Sequence, residues 1–388
     1  MEQPHSHSHL RRPRPFPAAG VDAYGAAMSS PADRPLRIIQ WTTGNVARQT
    51  VRAGLGHPGL ELVGAFAHSA GKVGRDVGDL VGLDPVGVTA TDDVDALLAL
   101  EPDCVVYTPL HPDLGELTRL LAAGVNVVTS SEFLTGNSLG EDFRAGVEAA
   151  AVAGEASIFG SGMNPGYAQL LAAVSAGVCL RLDHVRVTEA VDVSLFAGDS
   201  NMDALGWGRP AGDPGHADDV AEATVVFADG LDVLAALLGL DLDERRCTVD
   251  FAMATRDLDL PGRPIAAGTV GGMEVKWEGV VAGRPVIEIR QVWVMANDLE
   301  PAWEVAHAYV VEIDGDPNIR VRYEIWPSQD LATLTTADIH SIGMLITGLP
   351  VVNAVPAVVA AEPGIRTYAD LPVITSAGRV RSAAVQAE

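Results

Sequence analysis

From residue 36 onward, short runs that are apolar almost throughout alternate with amphipathic stretches, and no other feature of the chain restricts its fold as much. Residues 36–41, 60–66, 86–90, 104–108, 125–129 and 156–159 read as strands, and residues 47–55, 92–100, 114–123 and 143–153 as helices. A strand without a polar face has no side to turn to water, so it belongs in a parallel sheet covered by helices on both faces. Alternating βα units of this kind build a doubly wound domain. After about residue 182 the pattern changes to longer strand-like runs, over 184–193, 275–281, 286–295, 309–313 and 319–325. The expected fold class is therefore α/β: an N-terminal Rossmann NAD(P)-binding domain, then a second α+β domain built on a mostly antiparallel sheet. The stretch 331–361 reads as helix again. The boundaries predicted are a disordered tail over 1–34, the Rossmann domain over 35–165, a substrate and dimerisation domain over 166–330, and a helical return to the first domain over 331–388.

Charge and cysteine usage narrow the function classes. Lys plus Arg number 26 against 51 Asp plus Glu, a formal charge of -25, so a nucleic-acid backbone is repelled and no nucleic-acid partner is expected. One small phosphate in a local basic pocket stays compatible with that field. The tail, with His5, His7 and His9 and then Arg11-Arg12-Pro13-Arg14-Pro15, is polar and without hydrophobic period, and it lacks the apolar core of a secretory signal. Met28 is an alternative start. No run approaches the roughly 18 continuous apolar residues of a spanning helix, so no membrane partner is expected. Cys104, Cys179 and Cys247 are far apart and form neither a zinc-ligand spacing nor a redox pair, which fits a reducing, cytoplasmic setting and no metal.

The chemistry-bearing motifs fall at strand ends. Trp41-Thr42-Thr43-Gly44-Asn45-Val46-Ala47 leads from the first strand into the first helix. Gly44 lets backbone approach a pyrophosphate, and the free amides of a helix start, around Thr43, Asn45 and Val46, bind the anion. The second strand ends at Ala67-His68-Ser69, where an NAD-binding fold usually places an acid for the ribose 2′-hydroxyl. None stands there. His68, Ser69, Lys72 and Arg75 instead offer hydroxyl and cations for a 2′-phosphate, so NADP(H) is the preferred cofactor and NAD(H) the alternative; a merely solvated basic loop is the bland reading. Thr108 and Pro109 close the fourth strand over the same crevice. The fifth strand runs into Ser131-Glu132-Phe133-Leu134, which puts Glu132 at a catalytic address beyond the carboxyl edge; a surface acid is the alternative. Gly162-Met163-Asn164-Pro165-Gly166 ends the sixth strand, with Asn164 expected as N-cap, Pro165 as first helical residue, and the glycines suited to close approach of a nicotinamide ring. Phe133, Trp207 in the loop 196–216, and His307 are expected on the substrate-pocket wall.

Five of these stretches in chain order carry a resemblance: Trp41-Thr42-Thr43-Gly44-Asn45-Val46, Ser69 with Lys72-Val73-Gly74-Arg75-Asp76, Asn126-Val127-Val128-Thr129, Gly162-Met163-Asn164-Pro165-Gly166, and Pro350-Val351-Val352-Asn353-Ala354-Val355-Pro356. The chain after Pro35 resembles the dihydrodipicolinate-reductase-like group that includes 2,4-diaminopentanoate dehydrogenase and native amine dehydrogenases. The resemblance implies a homodimer formed through the substrate domain and reversible oxidative deamination, with a small-molecule amine or ketone and ammonia as partners. It also implies a catalytic glutamate after the Asn-Val-Val-Thr strand, commonly within Cys-Glu-Glu-Leu. Ser131-Glu132-Phe133-Leu134 keeps one acid and replaces the second with Phe133. Two other readings stay open: a dihydrodipicolinate-reductase-like imine or carbonyl reductase, whose His-His-rich segment this chain lacks, and a non-enzymatic NADP-binding sensor.

Overall fold

Strands β1 (Leu36–Trp41), β2 (Leu60–Phe66), β3 (Ala90–Thr91), β4 (Cys104–Tyr107), β5 (Asn126–Thr129) and β6 (Ser157–Gly160) lie side by side in the order β3-β2-β1-β4-β5-β6, every pair parallel. The computed structural model describes residues 34–379. The expected tail, with His5, His7, His9 and Met28, lies outside the described residues, Arg34 apart, as does the chain beyond 379. Because successive strand side chains point to opposite faces, the sheet builds two cores. Ile39, Val105, Val127 and Ile158 pack against α3 (Val94–Leu98), α4 (Leu114–Ala122) and α5 (Glu141–Ala153) through Leu97, Leu117, Leu121 and Val147. Ile38, Cys104, Val106, Val128 and Phe159 pack on the other side against α1 (Asn45–Leu55) and α2 (Val77–Val81) through Val51, Val77 and Val81. The strand order reverses between β1 and β4, the position where open parallel sheets bind ligands.

The third strand is shorter than the sequence suggested. The Asp76 carboxylate accepts from the amides of Gly78, Val86 and Gly87, so backbone expected in the ladder at 86–90 serves that cap instead. The same bonds, with that from Val86 the largest contribution, hold the Asp76 pKa below its ordinary value.

The second sheet follows α6 (Tyr167–Ala176). It contains β7 (Arg181–Asp192), β8 (Glu244–Ala254), β9 (Val270–Val281), β10 (Arg284–Val294), β11 (Leu299–Glu300), β12 (Ala308–Asp316) and β13 (Ile319–Tyr323), in the order β11-β8-β9-β10-β7-β12-β13. Only β10 and β7 run parallel; the other pairs are antiparallel. Two further helices, α7 (His216–Ala223) and α8 (Val226–Leu238), join α6 on one face, where Ala172, Leu231 and Leu234 pack over Val187, Val275, Ile289 and Val311. The opposite face carries ion pairs over its middle strands: Arg186 with Glu288 at 2.7 Å, Arg290 with Glu274 at 2.6 Å and Arg320 with Glu312 at 2.9 Å.

Helix α9 (Thr336–Val359) then crosses back to the first sheet, and β14 (Gly364–Arg366) adds to it beside β6 in parallel. Contrary to the sequence reading, α9 is long and apolar enough to cross a membrane. Its second half is core, however: Val351, Val352, Ala354, Val355 and Val358 are fully buried against the α1 side of the sheet. Burial accounts for the apolar residues of that half, whereas none of residues 336–347 is fully buried.

Candidate functional site

The carboxyl edge of the first sheet presents an anion cradle. Gly44 caps α1 with no side-chain bond to the helix amides, and no acid stands in the first turn. A Cβ on Gly44 would meet no atom within 4 Å, so the space above the turn is open. Unspent amides facing open space fit a pyrophosphate. Behind them Thr42 adopts φ of 74°, an unusual conformation for a non-glycine residue. Thr108 braces that turn: its hydroxyl donates to the Trp41 carbonyl at 3.0 Å, accepts from Gln40 Nε2 at 2.9 Å and lies 3.1 Å from the Thr42 hydroxyl. Thr108 is thus committed within the protein, and the Pro109 carbonyl likewise accepts from the Ser131 hydroxyl at 2.6 Å. Thr43 is buried, while Asn45 opens onto a cleft of about 330 Å³ shared with Arg48, His340 and Ser341.

The loop after β2 is closed by backbone bonds from Lys72 to Ser69 and from Arg75 to Lys72. Ser69 and Arg75 are exposed and Lys72 is half-buried. Neither cation makes an ion pair within the described residues, whereas Asp76, the nearest acid, is occupied by the three amides named above. Both charges are therefore available to a bound phosphate. His68 packs its ring edge-on to Phe66 and lies 3.6 Å from Glu116.

Glu132 stands just past β5, in a cleft of about 410 Å³ whose walls include Leu110, His111, Ser138, Ser200, Asn201, Glu222 and Val226. Its side chain is 36% exposed, and its Oε2 lies 2.8 Å from His111 Nδ1. The sequence reading stopped at Thr108 and Pro109 and gave His111 no role. The signal was present: β4 and β5 are parallel neighbours, so the residues that leave them meet at one edge. Asp229 carried no comparable signal. Fully buried in α8, it accepts from the amides of Thr135 at 3.0 Å, Gly136 at 2.9 Å and Ser138 at 2.8 Å, and so pins the loop behind Glu132 to the second sheet's helix layer. Among the described residues no group of three His, Cys, Asp or Glu side chains is placed to hold a metal ion.

Three expected wall residues lie elsewhere. Phe133 is wholly buried among Trp41, Tyr107 and Ile158, because a residue adjacent to an outward-facing Glu132 turns inward under the sheet edge. Trp207 belongs to the core of the second sheet, and His307 is exposed ahead of β12 with φ of 48°. The expected cap is also revised. Helix α6 starts at Tyr167 with Gly166 as N-cap, and the Asn164 side chain instead reaches Glu189 and Gln169, while Pro165 precedes the helix.

The family of 2,4-diaminopentanoate dehydrogenase C-terminal domains matches residues 168–386. An amine dehydrogenase of Streptomyces virginiae is 32% identical over 362 residues, covering 88% of this chain and 98% of its own length. The chain belongs to this amine dehydrogenase family. Its fold matches that of the amine dehydrogenase from Mycobacterium smegmatis, at a TM-score of 0.73 and 24% identity, covering 90% of this chain and 99% of that one. A 4-hydroxy-tetrahydrodipicolinate reductase of Synechococcus elongatus is 33% identical over 112 residues, a match limited to 27% of this chain and 40% of the reductase. Similarity to amine dehydrogenases thus spans the whole described fold, and similarity to that reductase only a part of it.

In this amine dehydrogenase family member, Asp229→Ala would leave three loop amides without their acceptor. We expect a loss of about 3 kcal/mol or more, by the scale for hydrogen bonds to a buried charged group, read as a lower urea midpoint at unchanged slope. An unchanged midpoint would contradict the role given to Asp229.

Proposed function

We propose that the protein is an NADP(H)-dependent amine dehydrogenase that interconverts a small ketone or aldehyde, with ammonia, and the corresponding amine. The observation that carries this reading is the Glu132 carboxylate, open to the cleft at the carboxyl edge and held by His111 in a chain of the amine dehydrogenase family. The residues that would hold the cofactor are the amides around Thr43, Asn45 and Val46 for the pyrophosphate and Ser69, Lys72 and Arg75 for the 2′-phosphate. When bound, the reduced nicotinamide supplies hydride to the substrate carbon.

The remaining chemistry is proton transfer. Ketone, ammonium, NADPH and one proton give the protonated amine, NADP and water. Glu132 takes a proton from ammonium so that the nitrogen lone pair attacks the carbonyl, then returns a proton to the carbinolamine hydroxyl as it leaves as water. The cation left behind is the iminium, and the Glu132 carboxylate in the cleft stabilises it by charge. His111 fixes the orientation of that carboxylate from the neighbouring strand exit. Leu110, Ala223, Val225 and Val226 give the cleft an apolar side for the carbon skeleton.

Glu132→Gln keeps the size of the side chain and removes its titratable charge. Ammonium-dependent turnover should fall by roughly 10²–10⁴-fold, the span of general acid–base contributions, with the thermal midpoint and cofactor affinity retained. Near-normal turnover would return Glu132 to a structural role. For the cofactor, Lys72→Ala should weaken NADPH binding measured by titration and leave NADH binding nearly unchanged, since only NADPH carries the 2′-phosphate. Equal losses for both would refute the phosphate assignment.

A further inference from the structure

Residue 189 lies on the helix-covered face of the second sheet, in line with Val185 and Val187, which are both buried. Its cross-strand partners are Gln291 on β10 and Tyr309 on β12. A carboxyl on that face needs a partner to offset its lost hydration. Gln291 does not provide one, because both its amide atoms, though buried, lack a hydrogen-bond partner. The shortest bond comes from the turn after β6: Asn164 Nδ2 donates to Glu189 Oε2 at 2.7 Å. Asn164 Oδ1 in turn accepts from Gln169 Nε2 at 3.1 Å, and Gln169 Oε1 accepts from the Gly166 amide at 2.5 Å. The turn thus held is tight, since Gly166 has φ of 130° and a Cβ there would come within 2.5 Å of the Ser161 hydroxyl. Burial pushes the Glu189 carboxyl up to about 7, against the hydrogen bonds from Asn164 and from Trp293 of β10.

We propose that Glu189 is a positioning residue for the reaction: from the second sheet it fixes the Asn164 amide, and through Asn164 the turn after β6, in the arrangement that hydride transfer requires. The proposal rests on the dehydrogenase reading above. A Gln or an apolar residue would desolvate at lower cost at this place. The chain Glu189–Asn164–Gln169–Gly166 instead runs from one sheet to the carboxyl edge of the other, where a misplacement of about 1 Å costs roughly 10²-fold in rate.

The test compares wild type, Glu189→Ala, Glu189→Gln, Asn164→Ala and the Glu189→Ala/Asn164→Ala pair in NADPH-dependent reductive amination. Glu189→Ala and Asn164→Ala should each lower kcat by about 10–100-fold with NADPH affinity and KM for the ketone retained. The double variant should be no worse than the poorer single, because both remove one linkage. Glu189→Gln keeps an acceptor for Asn164 Nδ2 and should recover most of the rate. Additive losses, a wild-type kcat in either single variant, or a Glu189→Gln as slow as Glu189→Ala would overturn the proposal. If Glu189→Ala does not fold, Glu189→Gln and Asn164→Ala decide it by the same criteria. Wild type without ammonium-dependent turnover would instead defeat the dehydrogenase reading. The fluorescence emission of bound NADPH then decides on the same proteins: equal shifts in Glu189→Ala and Asn164→Ala support the linkage, and unshifted emission overturns it.

Discussion

One carboxylate couples the two sheets at the point where chemistry is expected. Asp229, buried in α8, takes the amides of Thr135, Gly136 and Ser138, of which that of Gly136 is buried and the other two are partly buried. The segment it grips leaves β5 just after Glu132, and the helix that carries it begins at Val226, itself part of the cleft wall. Both sides of the cleft are therefore held by one set of charge-assisted bonds. Asn137 to Asp232 at 2.7 Å, with Asp232 paired to Arg245 of β8, extends the attachment into the second sheet. Catalytic geometry depends on groups fixed to rigid elements, and here the rigid element is the helix layer between the sheets.

The first sheet contributes a different physical resource. Its strands run parallel, so every strand exit and the start of α1 lie at one edge, and the polar groups there converge without long loops. The Gly44 turn leaves helix amides unspent, and the loop after β2 offers Lys72 and Arg75 on a chain whose net charge is -25. Local cations in an acidic field are specific in a way that a generally basic surface is not. Asp76, next to Arg75 in the chain, is taken up by backbone amides, and neither cation makes an ion pair among the described residues.

Much of this was legible in the sequence because apolar runs and strand-to-helix turns are local signals. Six of the seven strands of the first sheet, the mixed second sheet and the position of Glu132 all follow from them, whereas β14 does not. The strand β8 was missed because Glu244, Arg246, Thr248 and Asp250 give it a polar face and no continuous apolar run. Phe133 was misplaced because strand periodicity does not say which way the chain turns after the last ladder bond. Asp229 and Glu189 read as an ordinary helix acid and strand acid, since their partners at 135–138 and 164 are distant in sequence and meet them only through packing. The apolar length of α9 was underestimated for a related reason: Pro350 and Pro356 interrupt it as written but stand within a single helix.

The central claim is that proton transfer to and from nitrogen at Glu132 accompanies NADPH oxidation. It is tested most directly by initial rates of NADPH consumption by the wild-type protein across a panel of ketones and aldehydes, with ammonium present and omitted, and with the product identified. The account predicts oxidation that requires ammonium and releases the primary amine in a one-to-one ratio with NADP. Oxidation at the same rate without ammonium, yielding an alcohol, would contradict it.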